Sequence, residues 1–256
     1  MKISSKVWDK YVADLRKIND AAAAKVSAYY ETHLTALTNS AQMGELLAYC
    51  YAIATKYGEA ATELTAQMYD AVALAEGKML EAAYPAATAT YDDVARAVVG
   101  TLKTTGNAEA IGAAVSRLVK MAGVDTTMQN ALRDGAEWAW IPRGMTCAFC
   151  IMLASRGWTP ASRDAIKGGH AEHIHANCDC TYAIRFDSSS NVAGYAPDEY
   201  REMYDSADGR TGRQKLNSMR REFYERNKEV INEQKRDAYA KREERNSSSA
   251  EETNIE

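Results

Sequence analysis

Seven side chains able to bind a soft metal ion crowd into residues 143–182, RGMTCAFCIMLASRGWTPASRDAIKGGHAEHIHANCDCTY. Cys147 and Cys150 form a C-x-x-C pair. His170, His173 and His175 follow across a loop, and Cys178 and Cys180 close the run as C-x-C. Thiolates and imidazoles at this density suit a tetrahedral zinc site, and a fold that uses them must bring distant parts of the stretch to one point. Cys147 and Cys150 supply the first ligand pair. The second comes from His175, Cys178 and Cys180, one more than a four-coordinate ion needs, and spacing alone leaves the choice among them open. The expected cofactor is a structural Zn2+.

Three catalytic uses of the cluster fail on order and spacing. A zinc deaminase places H-x-E before its C-x-x-C, whereas His170-Ala171-Glu172 follows Cys147–Cys150 here. The metalloprotease pattern H-E-x-x-H needs histidines four apart on one helical face, which H-A-E-H at 170–173 does not provide after Gly168-Gly169. A thioredoxin-like redox pair would sit in a β-α-β pattern, and none surrounds Cys147. His170 and His173 are then loop residues.

The remainder of the chain reads as mainly α. Alanine is abundant and prolines number only four. Residues 5–39 keep apolar positions at helical spacing from Val7 through Leu15, Val26 and Leu37, as one long helix or two broken near Asn19-Asp20. A second helical stretch starts after Asn39-Ser40 and carries Leu46, Ile53, Leu64, Met68 and Val72, with Gly58 and Gly77 as points of close packing or breakage. Tyr84-Pro85 opens a turn, and Thr90-Tyr91-Asp92-Asp93 starts another helix. Beyond Thr105-Gly106-Asn107 the pattern predicts a helix that stops at Gly123, then a further one capped by Asp125 or Thr126. Thr181 to Phe186 alternates as a strand does, with Trp140-Ile141 as its partner in a small hairpin-like platform. Asp187 to Asn191 reads as a hinge.

This reading divides the chain into a helical domain at 1–138, a Cys/His metal-binding module with a short β-hairpin at 139–190, a charged helical arm at 191–245 and a disordered tail at 246–256. From Pro197 onward, charges of both signs alternate around a thin apolar stripe that needs a partner surface. The net charge of −4 offers no global attraction for nucleic acid. No stretch has the roughly 20 apolar residues of a membrane span. The charged N-terminus lacks the apolar core of a signal peptide, so the expected setting is a reducing cytoplasm, where clustered cysteines bind metal more often than they form disulfides. Cys50, alone between tyrosines, reads as core packing.

The order Thr146-Cys147-Ala148-Phe149-Cys150, then His175-Ala176-Asn177-Cys178-Asp179-Cys180 leading into a strand, resembles the Mu F-like phage head morphogenesis family, also called minor capsid or minor head proteins. Ala176 and Asp179 stand where that family usually has proline and arginine. The resemblance is specific over Arg143 to Tyr182 and architectural elsewhere. It implies a non-enzymatic virion protein in several copies per particle, in the capsid interior or portal region after assembly in the host cytoplasm. The implied partners are portal or major capsid protein, and packaged DNA. The competing expectations are a zinc-dependent hydrolase or capsid maturation protease using the same cluster, and a zinc-containing protein that binds DNA through its C-terminal helices.

Overall fold

The computed structural model describes residues 4–33, 40–143, 146–162 and 180–252. The chain is mainly helical, with α1 (Ser5–His33), α2 (Ser40–Ala75), α3 (Tyr91–Thr104), α4 (Ala108–Asp134), β1 (Glu137–Ile141), α5 (Ala148–Ala154), β2 (Thr159–Pro160), β3 (Thr181–Arg185), α6 (Pro197–Asp205) and α7 (Gly212–Glu252). It divides into two compact units, residues 1–146 with 156–197, and residues 147–155 with 198–256. No described helix is long and apolar enough to cross a membrane.

In the larger unit, α4 packs against α1, α2 and α3. The core joins Ala22 and Val26 of α1, Leu46, Cys50 and Ile53 of α2, Val94 and Val98 of α3, and Ile111, Val115 and Val119 of α4. α1 is continuous through Asn19-Asp20. α2 ends in a Schellman motif: Gly77 takes φ +72°, Lys78 N–H donates to the Ala73 carbonyl and Gly77 N–H to that of Leu74. α3 begins as expected, in a capping box where the Thr90 hydroxyl accepts the Asp93 N–H and the Asp93 carboxylate accepts the Thr90 N–H.

The predicted break at Gly123 is absent. α4 runs unbroken from Ala108 to Asp134 and stops only at Gly135, which is left-handed at φ +67°. Gly123 lies where α2 comes close: a Cβ there would stand 3.2 Å from Thr65 Oγ1. Thr126, expected as a possible cap, returns its hydroxyl to the Ala122 carbonyl within the helix and accepts the Ala86 N–H. Glycine and threonine thus serve helix packing here, and the local stop signal is overridden by tertiary contact.

The sheet is antiparallel in the order β2-β1-β3. β1 and β3 pair over five residues, from Glu137 opposite Arg185 to Ile141 opposite Thr181. The expected partnership of Trp140-Ile141 with the Thr181 strand is therefore present. It is not made by a tight turn, because residues 142–180 lie between the strands and β2 occupies the other edge of β1. Pro160, which cannot donate to a ladder, sits on that short edge strand. Trp138 stacks on Tyr182 at 4.8 Å, and Trp140 meets Tyr182 edge-on at 4.5 Å. Arg185 joins the sheet to the following loop: its Nε donates to Glu137 Oε2 (2.6 Å), its Nη1 donates to the Ser188 and Ser190 carbonyls, and its guanidinium covers the Trp158 ring.

In the smaller unit, Ala148 and Ile151 of α5 pack with Tyr204, Ala207, Leu216 and Met219. Lys215 ties α7 back to α6 by donating to the Tyr204 and Asp205 carbonyls. The α7 backbone continues helical past Arg245 to Glu252.

Candidate functional site

The C-x-x-C pair straddles the start of a short helix. Cys147 is extended (φ −75°, ψ 161°) at the N-cap position of α5, and its carbonyl accepts the Ile151 N–H at 3.0 Å. Cys150 lies in the first turn and is buried, while Cys147 is half-buried. Residues three apart at a helix start lie close together, so Cys147 and Cys150 are neighbours at the beginning of α5. Ala148, between them, fixes the helix by packing into the smaller unit.

Cys180 stands immediately before β3 and is 2% exposed. Its position is set by the strand that follows, whose first residue, Thr181, is registered against Ile141. His170, His173, His175 and Cys178 lie outside the described residues. Among the described residues, no group of three or more His, Cys, Asp or Glu side chains is placed to hold a metal ion. The thiols of Cys147 and Cys150 have the donor chemistry that zinc takes. Cys50 is fully buried in the bundle, where burial pushes its thiol up to about 12. It is a core residue, as its setting between tyrosines suggests.

A cavity of about 680 Å³ opens in the larger unit between α1, α4 and the start of β3. Cys180, Thr181 and Tyr182 form one part of its wall, and Arg16, Asn19 and Lys120 others. Two of its arginines are paired locally: Arg143 binds Asp9 at 2.7 Å, and Arg16 meets Asp20 at 3.6 Å. Tyr11, at the cavity wall, pairs its hydroxyl with Thr65 at 3.3 Å, and burial raises its pKa to about 12. Small residues let the helices meet beside this cavity: a Cβ on Gly112 would run into Ser27 Oγ and lie 2.5 Å from the Ala23 carbonyl.

Two further polar fixtures escape a sequence reading. The segment after α2 is held by side chains rather than by a ladder: Asp70 accepts the Ala83 N–H, Arg133 donates to the Glu81 and Ala82 carbonyls, and Asn130 bonds both sides of Tyr84. Glu76 is buried, and its Oε2 accepts the N–H groups of Phe186 (2.7 Å) and Asp187 (2.9 Å). A carboxylate directly before a helix-ending Gly is the only cue to the second, and it does not name its partner.

A family model described as VG15 protein matches residues 2–207. A Gene 15 protein of Mycobacterium phage D29 is 29% identical over 158 residues, covering 49% of this chain and 57% of the D29 protein. The chain thus spans little more than half the length of that curated relative. No solved structure matches.

Proposed function

The chain belongs to the VG15 family of phage proteins, and on that premise we propose that it is a structural minor head protein of a tailed phage. In this reading it acts during head morphogenesis next to portal or major capsid protein, and enters the particle in several copies. It is a scaffold and not an enzyme.

The observation that carries the reading is the disposition of the cysteine segment. Cys147 and Cys150 frame the start of α5, and Cys180 leads directly into β3, in the order found in Mu F-like minor head proteins. Zinc bound by Cys147 and Cys150, and closed by two of His175, Cys178 and Cys180, would tie the ends of a segment too short to build a core of its own. Such binding supplies folding free energy on the order of 10 kcal/mol.

The test has two parts. Elemental analysis of the purified full chain is expected to give one zinc per chain, lost in Cys147→Ser and Cys150→Ser together with solubility. Wild-type yields of folded, metal-free variant would refute the metal staple. Quantitative mass spectrometry of purified particles is expected to find the chain in a few copies per portal. Its absence from particles and procapsids would refute the head-protein role, whatever the metal result.

A further inference from the structure

Arg96, Arg133, Arg143, Arg185 and Arg201 each meet a carboxylate. Arg210, Arg213, Arg220 and Arg221 make no ion pair with any described residue, and all four are exposed. With Lys215 they lie in residues 209–221, a run that contains no Asp or Glu, inside a chain whose net charge is −4. Averaged over the C-terminal region, the charges look mixed. Along α7 they segregate, and its first three turns are purely cationic.

Three of these arginines line a shallow cleft of about 1160 Å³, Arg210, Arg220 and Arg221, together with Gln214, Asn217 and one acidic side chain, Asp208. Gln214, Asn217 and Arg221 recur at intervals of three and four, which puts them along one side of the helix, and Arg210 joins them from the bend just before it. Leu216 and Met219 lie on another side, packed with Ala148 and Ala207. The helix start is capped: the Thr211 hydroxyl accepts the Gln214 N–H, and Gln214 Oε1 reaches back to accept the Arg210 and Thr211 N–H groups. The charged groups that the cleft presents are guanidinium donors, with the Asn217 and Gln214 amides beside them.

We propose that the first turns of α7 and the bend that leads into them form a surface for the phosphate backbone of nucleic acid, with Arg210, Arg213, Arg220 and Arg221 as the charge contacts and Asn217 and Gln214 as neutral donors. Arginine and amide side chains are the usual donors to phosphate oxygens, and they bind without reading sequence. From Arg213 to Arg221 the helix rises about 12 Å, the length of three to four base-pair steps. No apolar side chain lines the cleft. An acidic peptide would bring apolar side chains with no pocket to enter, whereas a phosphodiester chain asks only for repeated positive charge. This inference stands on residues 210–221 and is independent of the metal and head-protein readings.

Fluorescence anisotropy with a labelled mixed-sequence DNA duplex of about 20 base pairs, titrated with the full chain across a salt series, tests it. Four phosphate contacts predict a log–log salt slope of about −3 to −4. Changing Arg210, Arg213, Arg220 and Arg221 to Gln is expected to weaken binding at least tenfold and to flatten that slope, with helical content unchanged by circular dichroism. A control changing Lys6, Lys10, Lys17 and Lys25 of α1 to Gln removes the same charge and is expected to leave the slope in place. Equal loss in both variants, no loss in the arginine variant, or tighter binding of labelled poly-glutamate than of the duplex would each overturn the proposal.

Discussion

Asn130 holds the Tyr84 peptide from both sides: its Nδ2 donates to the Tyr84 carbonyl at 2.9 Å, and its Oδ1 accepts the Tyr84 N–H at 3.1 Å. A side chain of α4 thus does for one residue what a neighbouring strand would do, while Nδ2 also donates to the Thr126 carbonyl. Asn130 is fully buried, so its removal strands polar groups away from water. Asn130→Ala is expected to cost about 2–4 kcal/mol in urea unfolding. A change below about 0.5 kcal/mol would show that the segment after α2 holds its place without this clamp.

Glycines at 112 and 100 should respond to alanine with opposite signs. A Cβ at 112 meets Ser27 and the Ala23 carbonyl at the α1–α4 contact, and the carbonyl is fixed in the α1 backbone. Gly112→Ala is expected to destabilise by about 2 kcal/mol or more. Gly100 lies inside α3 with nothing within 4 Å of its would-be Cβ. Gly100→Ala should stabilise by about 0.5–1 kcal/mol, because alanine is the better helix former. Equal midpoints for the two variants in thermal denaturation would contradict the close α1–α4 approach.

Stability should fall on the alkaline side. Burial raises Cys50 from 9.0 to about 12, and burial, opposed by the Thr65 hydrogen bond, raises Tyr11 from 10.0 to about 12. A group whose folded value exceeds its unfolded one contributes in full below the unfolded value and loses that contribution as pH rises through the folded one. The loss therefore begins near pH 9 for Cys50 and near pH 10 for Tyr11, and continues to about pH 12. Urea midpoints measured under reducing conditions across that window should decline, and Tyr11→Phe should flatten the upper part of the decline. An unchanged profile in the phenylalanine variant would mean that Tyr11 ionises in the folded chain as freely as in the unfolded one.

Glu76 makes a local prediction. Glu76→Ala leaves the Phe186 and Asp187 N–H groups without their acceptor and is expected to cost about 2–4 kcal/mol. Glu76→Gln keeps an acceptor oxygen and should cost less. Hydrogen exchange gives the sharper readout, since the amides of residues 186 and 187 should exchange faster in the alanine variant while those of α4 change little. Uniform acceleration throughout the bundle would point to general loosening instead.

Much of this architecture is legible in local pattern. The Thr90–Asp93 start of α3 and the partnership of β1 with β3 follow from capping chemistry and from alternation. Errors arise where a residue's role is set by something distant in sequence. Gly123 reads as a stop because glycine is a poor helix residue, yet it is there to admit α2. Asp125 and Thr126 read as caps because their side chains can bond nearby backbone, yet Thr126 bonds inward and accepts Ala86 from another segment. Of the metal ligands foreseen, Cys147, Cys150 and Cys180 have described positions. His175 and Cys178 do not, so the closing pair rests on chemistry alone. The cationic start of α7 is written plainly in residues 209–221, but a charge count over the whole C-terminal region cancels it.

Glu76 also bears on the timing of assembly. A ribosome releases this chain from its N-terminus, so α2 and its terminal carboxylate emerge long before Phe186 and Asp187 exist. The bundle can collapse once α4 is out, but until residues 181–187 arrive, Glu76 has only water to accept from and β1 has no long strand beside it. One short stretch then completes both at once, aligning Thr181 to Arg185 along β1 and delivering two N–H groups to Glu76. A late step in closing the larger unit is thus reserved for a segment that follows the whole cysteine-bearing stretch, and the unit cannot be finished before that stretch has been made.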